Sequence, residues 1–271
     1  MSERTRWVVL ASLAAVPLLN VGGLLLCPHR GACLSALGQV SVWAAAAARS
    51  GLPLLALSLL VSAVRVGWLT HRASRLVAAL PRAAGMPDGL RDALIRTGTR
   101  RVVCVAAEAP VAFCAGALRP RVVLSAELVQ LLSPDELDAV LIHEQDHARR
   151  REPLVRAACQ AGAEALFYVP LVGWWSQRHA AGAELRADRA AIRRVGARPV
   201  AGALLALGSG GGSAGSAAFT GAGPLRVAQV LGDPLPRPAP HLSLVGISVF
   251  GPYVAFVAAS CIVQLVLYLL R

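Results

Sequence analysis

Lysine is absent from the chain, and acids and aromatic residues are scarce; each shortage narrows what the protein is. Only 15% of its 271 residues are charged while 56% are hydrophobic, whereas a soluble domain carries about a quarter charged. So apolar a composition belongs in a membrane rather than in an ordinary soluble domain. Without lysine, the net charge of +12 rests on arginine, gathered mainly in 65–101 and 149–198. Nucleic acid would attract such a surplus, but no recognition motif or aromatic stacking platform accompanies it. Arginine retained on the cytoplasmic side of a bilayer explains the excess with no direct nucleic-acid binding. Six cysteines are too few and too scattered for a disulfide framework. Cys27 and Cys33 would pair only if the loop between them faced an oxidising compartment. Cys104, Cys114 and Cys159 lack metal-site spacing and are expected to be reduced and packed.

What is present are long apolar runs. Residues 7–26 carry no charge over the length a bilayer-spanning helix needs and read as an uncleaved anchor. Residues 34–48 are apolar but short for a crossing, and Ser50-Gly51-Leu52-Pro53 reads as a turn. A second span follows over 53–70, with Arg65 near its end, and a third over 242–270. Arginines at 72, 75, 82, 91, 96, 100 and 101 place the following region in the cytoplasm. The expected organisation is an N-terminal membrane region over 1–72, a cytoplasm-facing domain over 73–240 and a C-terminal transmembrane helix over 241–271.

Within the middle region, VVCVAA, VAFCA and RVVLS read as two or three short strands. Ser125 caps a short helix, and Ser133-Pro134-Asp135-Glu136 starts a longer one with proline at its first position and a glutamate three residues past the cap. That helix carries His143-Glu144-Gln145-Asp146-His147 and should end near Pro153. Residues 154–175 are apolar but interrupted by Arg156 and Glu164, and read as an interfacial or re-entrant helix. A helix bearing GAELRADRAAIRRVG comes next, and a glycine–serine run at 208–215 reads as a flexible loop.

Two histidines four apart on a helix present both imidazoles to one metal ion, with a glutamate beside them to act as base. A hydrolytic zinc site takes three protein ligands, so a third must lie downstream. Glu184 is the best candidate, on the next helix but one. Asp188, one turn further on its face, can accept the free ring N–H of a ligating histidine.

The segments AFCAGALRPRVVLSAEL, SPDELDAVLIHEQDHARRREP and ELRADRAA, in that order over about 110–195, resemble the integral-membrane zinc metallopeptidases of the BlaR/MecR antirepressor type. A more distant likeness is to the HtpX and CAAX prenyl protease group. The resemblance implies His143, His147 and Glu184 as Zn2+ ligands, Glu144 as catalytic base and Asp188 as the carboxylate orienting a histidine. It also lends support to Arg226 as an oxyanion contact, for which His179 and Tyr168 are alternatives, and to Val111–Ala115, with Phe113, as a substrate-aligning strand. Relatives commonly have aspartate where Glu152 stands. The β-lactam sensors carry an extracellular domain after their final span, and the sequence ends at Arg271, so direct antibiotic sensing is not expected. The fold expected is a mainly α membrane protein, with about three transmembrane helices and a zincin-like α+β peptidase domain holding a small β-sheet. The function expected is a multi-pass plasma-membrane zinc endopeptidase that cuts a protein, a winged-helix transcriptional repressor being one substrate class. The alternative is a non-catalytic signalling or scaffold protein that keeps the peptidase fold.

Overall fold

The computed structural model describes residues 30–107, 109–209, 213–236 and 239–252. The predicted span at 7–26, Cys27 and most of the span at 242–270 lie outside them. The chain divides into two compact units. One comprises Met1–Ala63, Gln160–Trp175 and Pro238–Arg271, and the other Val64–Cys159 and Ser176–Arg237.

Helix α1 (Arg30–Ala79) runs unbroken for 50 residues and keeps Pro53 inside it. The turn expected at Ser50–Pro53 therefore does not form. Alanine-rich flanks favour helix on both sides, and in apolar surroundings a break would strand more backbone groups than the one N–H that proline lacks. Its Pro53–Ala79 stretch is long and apolar enough to cross a membrane, and is the one such helix among the described residues. Of the roughly three spans expected, this is the one the described residues contain; Leu242–Pro252 is a shorter apolar helix, labelled α9 here.

After α2 (Asp88–Thr97) come strands β1 (Val102–Val105), β2 (Ala112–Ala115) and β3 (Arg121–Ser125), in the order β1-β3-β2. β3 is central, parallel to β1 and antiparallel to β2. Gly116, in the turn from β2 to β3, has φ of 100°, and a Cβ there would meet the Arg119 carbonyl oxygen at 2.9 Å. Gly116→Ala should therefore cost about 1–3 kcal/mol of stability, read as a lower midpoint in thermal unfolding of the detergent-purified protein. An unchanged midpoint would mean that this turn is not built as described.

Ser125 closes β3 and caps α3 (Ala126–Leu131), its hydroxyl accepting from the Leu128 N–H at 3.2 Å. Helix α4 (Pro134–Arg149) begins as its sequence indicates, Glu136 Oε2 reaching back to the Ser133 N–H at 2.9 Å. Its apolar residues bury in two directions. Leu137, Val140 and Leu141 join Leu90, Val122, Leu124 and Leu128 beneath the sheet. Ala139 and Ile142 pack with Ala191, Val200 and Leu204 of the helices that follow. The remaining side of α4 carries His143 and His147.

Helix α5 (Glu152–Ala165) is separated by Leu166–Val169 from α6 (Pro170–Val195), so no single helix covers 154–175. Proline disfavours the helical region for the residue before it, and Pro170 restarts the helix at its own first position. Helices α7 (Ala197–Ser209) and α8 (Ser213–Leu231) complete the Ser176–Arg237 part. The loop expected at 208–215 is not seen among the described residues: Gly208, Ser209 and Ser213–Gly215 are helical, and 210–212 lie outside them. Continuation into alanine-rich 214–218 favours helix over loop.

Candidate metal centre

α4 and α6 bring together residues far apart in sequence. The Nε2 atoms of His143 and His147 stand 3.1 Å apart, with ring centroids 4.7 Å apart. Glu184 of α6 places Oε2 3.4 Å from His143 Nε2 and Oε1 3.7 Å from His147 Nε2. One ligand atom from each of the three lies within 4.8 Å of the others. Donors about 2.1 Å from a common tetrahedral ion stand roughly 3.4 Å apart; the histidine nitrogens are near that spacing at 3.1 Å, and Glu184 faces His143 with one oxygen and His147 with the other. Glu144 is also buried. Ala183, Ala187 and Ala191 are buried on α6 beside Glu184 and Asp188, and Ala191 packs with Ala139 and Ile142 of α4.

A second layer of charge fixes this cluster. His143 Nδ1 lies 2.9 Å from Asp188 Oδ1. Arg226 of α8 grips the same carboxylate at 2.7 and 2.8 Å and stands 3.4 Å from Glu184. Asp188 is fully buried and Arg226 nearly so. Each would be costly alone at that depth, and together they are paired and hydrogen-bonded. Burial opposes ionisation of Asp188, but its bonds to His143 and Arg226 outweigh this and hold it below the ordinary range.

Burial likewise works against a charged His143, yet its bonds to Asp188 and Glu184 push its pKa up to about 9. His147, buried beside the cationic His143, is pushed down to about 4. Glu184 is held well below the ordinary range, because its contacts with the histidines and the charge of Arg226 overcome burial. Glu144 is shifted upward by burial, against the nearby positive charges. The metal-free cluster therefore carries one imidazolium proton between about pH 4 and 9, and an incoming cation displaces it. Metal affinity should rise about tenfold per pH unit across neutrality, with one proton released per metal bound. Calorimetry of the metal-free protein in buffers of different ionisation enthalpy checks this; no buffer dependence would contradict it. In the metal-free fold the His143 shift stabilises below pH 6.5, its unperturbed value, and that stabilisation is lost as pH rises through about 9.

His143, Glu144, His147, Glu184, Asp188 and Arg226 thus converge. Three other candidates have different surroundings. His179 Nδ1 lies 3.4 Å from the buried Glu152, which also faces Arg186 at 3.8 Å. Tyr168 shares a hydrogen bond of 3.0 Å with Ser58, a member of the same compact unit. Phe113 lies half-buried on β2 opposite Val123, and α4 packs against that strand. Asp146 pairs with Arg150 one turn on, as expected of a surface acid.

The sequence reading passed over Arg156, counting it only as an interruption of an apolar run. Its Nη2 donates to Glu184 Oε1 at 3.0 Å, while its side chain stays 45% exposed. A cation that is half-exposed and bonded to the buried Glu184 carboxylate stands at the mouth of the cluster. An arginine four residues past Glu152, on the same face of its helix, was the available signal.

A long apolar helix and a buried His, His, Glu set are the features of a membrane-associated metallopeptidase, and the family comparison agrees with them. A family profile described as BlaR1 peptidase M56 matches residues 47–211, and the chain belongs to that family. Comparison with curated proteins and with solved structures returned no match. The matched region includes α4 and the Glu184 and Asp188 of α6, and it ends before Arg226.

Proposed function

We propose that this protein is a membrane-anchored zinc endopeptidase that cuts a protein substrate on the cytoplasmic side. The observation that carries the reading is the buried cluster of His143, His147 and Glu184 with Glu144 next to the first histidine. Two imidazole nitrogens and a carboxylate are a donor set of hydrolytic zinc sites, and a zinc ion held there lowers the pKa of water to about 7 and polarises a scissile carbonyl.

The chain's own groups supply the rest. Glu144 accepts the proton of the attacking water at its carboxylate, and burial, which favours its protonated form, suits it to pass that proton to the leaving amine. Asp188 holds the proton on His143 Nδ1, so that Nε2 presents its lone pair to the cluster. Arg226 fixes Asp188 in turn, and with its guanidinium engaged by both acids it serves positioning better than substrate contact. Arg156 is better placed to meet a carbonyl oxygen as it gains negative charge. β2 is an edge strand, and its outer side can align an extended peptide through main-chain hydrogen bonds, with Phe113 at its middle.

Arginine following the Pro53–Ala79 span supports the cytoplasmic assignment. A transcriptional repressor of the winged-helix kind is the substrate class we favour. Comparing the proteins of cells that carry wild type or Glu144→Gln tests it: an intact repressor should accumulate in the variant, and identical protein profiles would count against the reading. Arg156→Gln should lower kcat by on the order of 100-fold at unchanged zinc content, measured on that substrate. A fall that tracks zinc loss would instead make Arg156 a counter-charge to Glu184.

A further inference from the structure

Along one stripe of α1 the exposed residues change character in a fixed order. Leu57, Val61 and Val64 are exposed and apolar, and Trp68, a turn further on, is 45% exposed. Arg72 and Arg75 follow on the same face, both exposed. The Arg65 guanidinium lies 4.4 Å from the Trp68 ring centroid and that of Arg72 lies 5.1 Å from it, so the indole sits between two cations. The Thr70 and Ser74 hydroxyls each donate at 2.8 Å to a helix carbonyl four residues back. No aspartate or glutamate occurs between Glu3 and Asp88.

The order apolar, indole, arginine is the order in which a helix leaving a bilayer meets acyl chains, interface and headgroups. Arg65 to Arg75 spans about 15 Å at the rise of a helix, enough to cross the headgroup layer of one leaflet. We propose that Arg65, Trp68, Arg72 and Arg75 form a binding site for the headgroup of an anionic phospholipid. The guanidinium groups take the phosphodiester and the indole seats against its glycerol backbone. Capture there has a consequence for the peptidase unit, because the chain just past α1 is stitched to the sheet. The Ala106 N–H donates to the Pro81 carbonyl at 2.8 Å and the Ala83 N–H to the Cys104 carbonyl at 3.2 Å. A headgroup held on α1 thus sets the height at which β1 and the sheet stand above the membrane.

The full chain can be reconstituted in phosphatidylcholine vesicles with about 20 mol% phosphatidylglycerol, a content in the range of anionic leaflets, with bromine on the acyl chains of one lipid or the other. The readout is the tryptophan quenching that Trp68→Phe removes. Phosphatidylglycerol should be enriched around Trp68 about fivefold or more over phosphatidylcholine, since one arginine at an anionic surface contributes about that factor. Enrichment should vanish in R65Q/R72Q/R75Q, persist in R65K/R72K/R75K and survive excess inorganic phosphate. Equal quenching by both lipids, enrichment that outlasts the glutamine changes or is lost with lysine, or displacement by free phosphate would each overturn the proposal.

Discussion

Replacing Glu144 by Gln is expected to abolish cleavage while leaving one zinc bound per chain. The carboxylate is buried beside His143, and positive charges oppose the burial that lifts its pKa. A glutamine keeps the size and the hydrogen-bonding capacity but can neither take the proton from water nor return it to the leaving amine. General acid–base catalysis contributes about 10²–10⁴-fold, so turnover of the substrate protein should fall by at least that factor. Zinc content, measured on the same preparation, should not change, because the three donors are untouched. Function that survives this substitution would favour the scaffold alternative.

The second large effect is expected at Asp188. This carboxylate is fully buried between His143 Nδ1 at 2.9 Å and the two-pronged grip of Arg226 at 2.7 and 2.8 Å. Asp188→Ala removes the acceptor that fixes the imidazole and takes from the buried Arg226 guanidinium the carboxylate that it holds with two hydrogen bonds. Breaking a buried pair from one side costs about 3–5 kcal/mol, and loss of a histidine-orienting carboxylate costs about 10–100-fold in metal affinity. Both should appear together, in thermal unfolding and in competition with a chelator. Asp188→Asn, which keeps a hydrogen-bonding oxygen, should restore part of the stability and less of the affinity. If the alanine variant unfolds like wild type, Asp188 is not the buried partner of Arg226.

The grouping of His143, His147 and Glu184 was legible in the sequence because its residues obey helical spacing. His143 and His147 are one turn apart, as are Glu184 and Asp188, and capping signals at Ser133 and Glu136 put the first pair inside a helix. The strands were legible for a different reason, as short apolar runs between turn residues. The pairing was not: nothing local to VVCV or RVVLS tells that β1 runs parallel to β3, since that depends on where the connection crosses. Breaks and continuations were the weakest part. Ser50–Pro53 has every local sign of a turn and is helix, whereas 154–175 has the composition of one helix and is two. Local propensity decides such points only when surroundings are neutral, and an apolar medium or a proline at the next helix start overrides it. Arg156 escaped notice because its role depends on α5 lying beside α6, a tertiary fact with no spacing rule.

Metal analysis of the purified full-length protein tests the central claim most directly. Wild type and Glu144→Gln should each hold one zinc per chain, and His147→Ala or Glu184→Ala should hold none after brief exposure to a chelator that leaves wild type loaded. A wild-type protein that binds no stoichiometric metal, or one that keeps it when His147 and Glu184 are both replaced, would contradict the assignment of α4 and α6 as the walls of a zinc site.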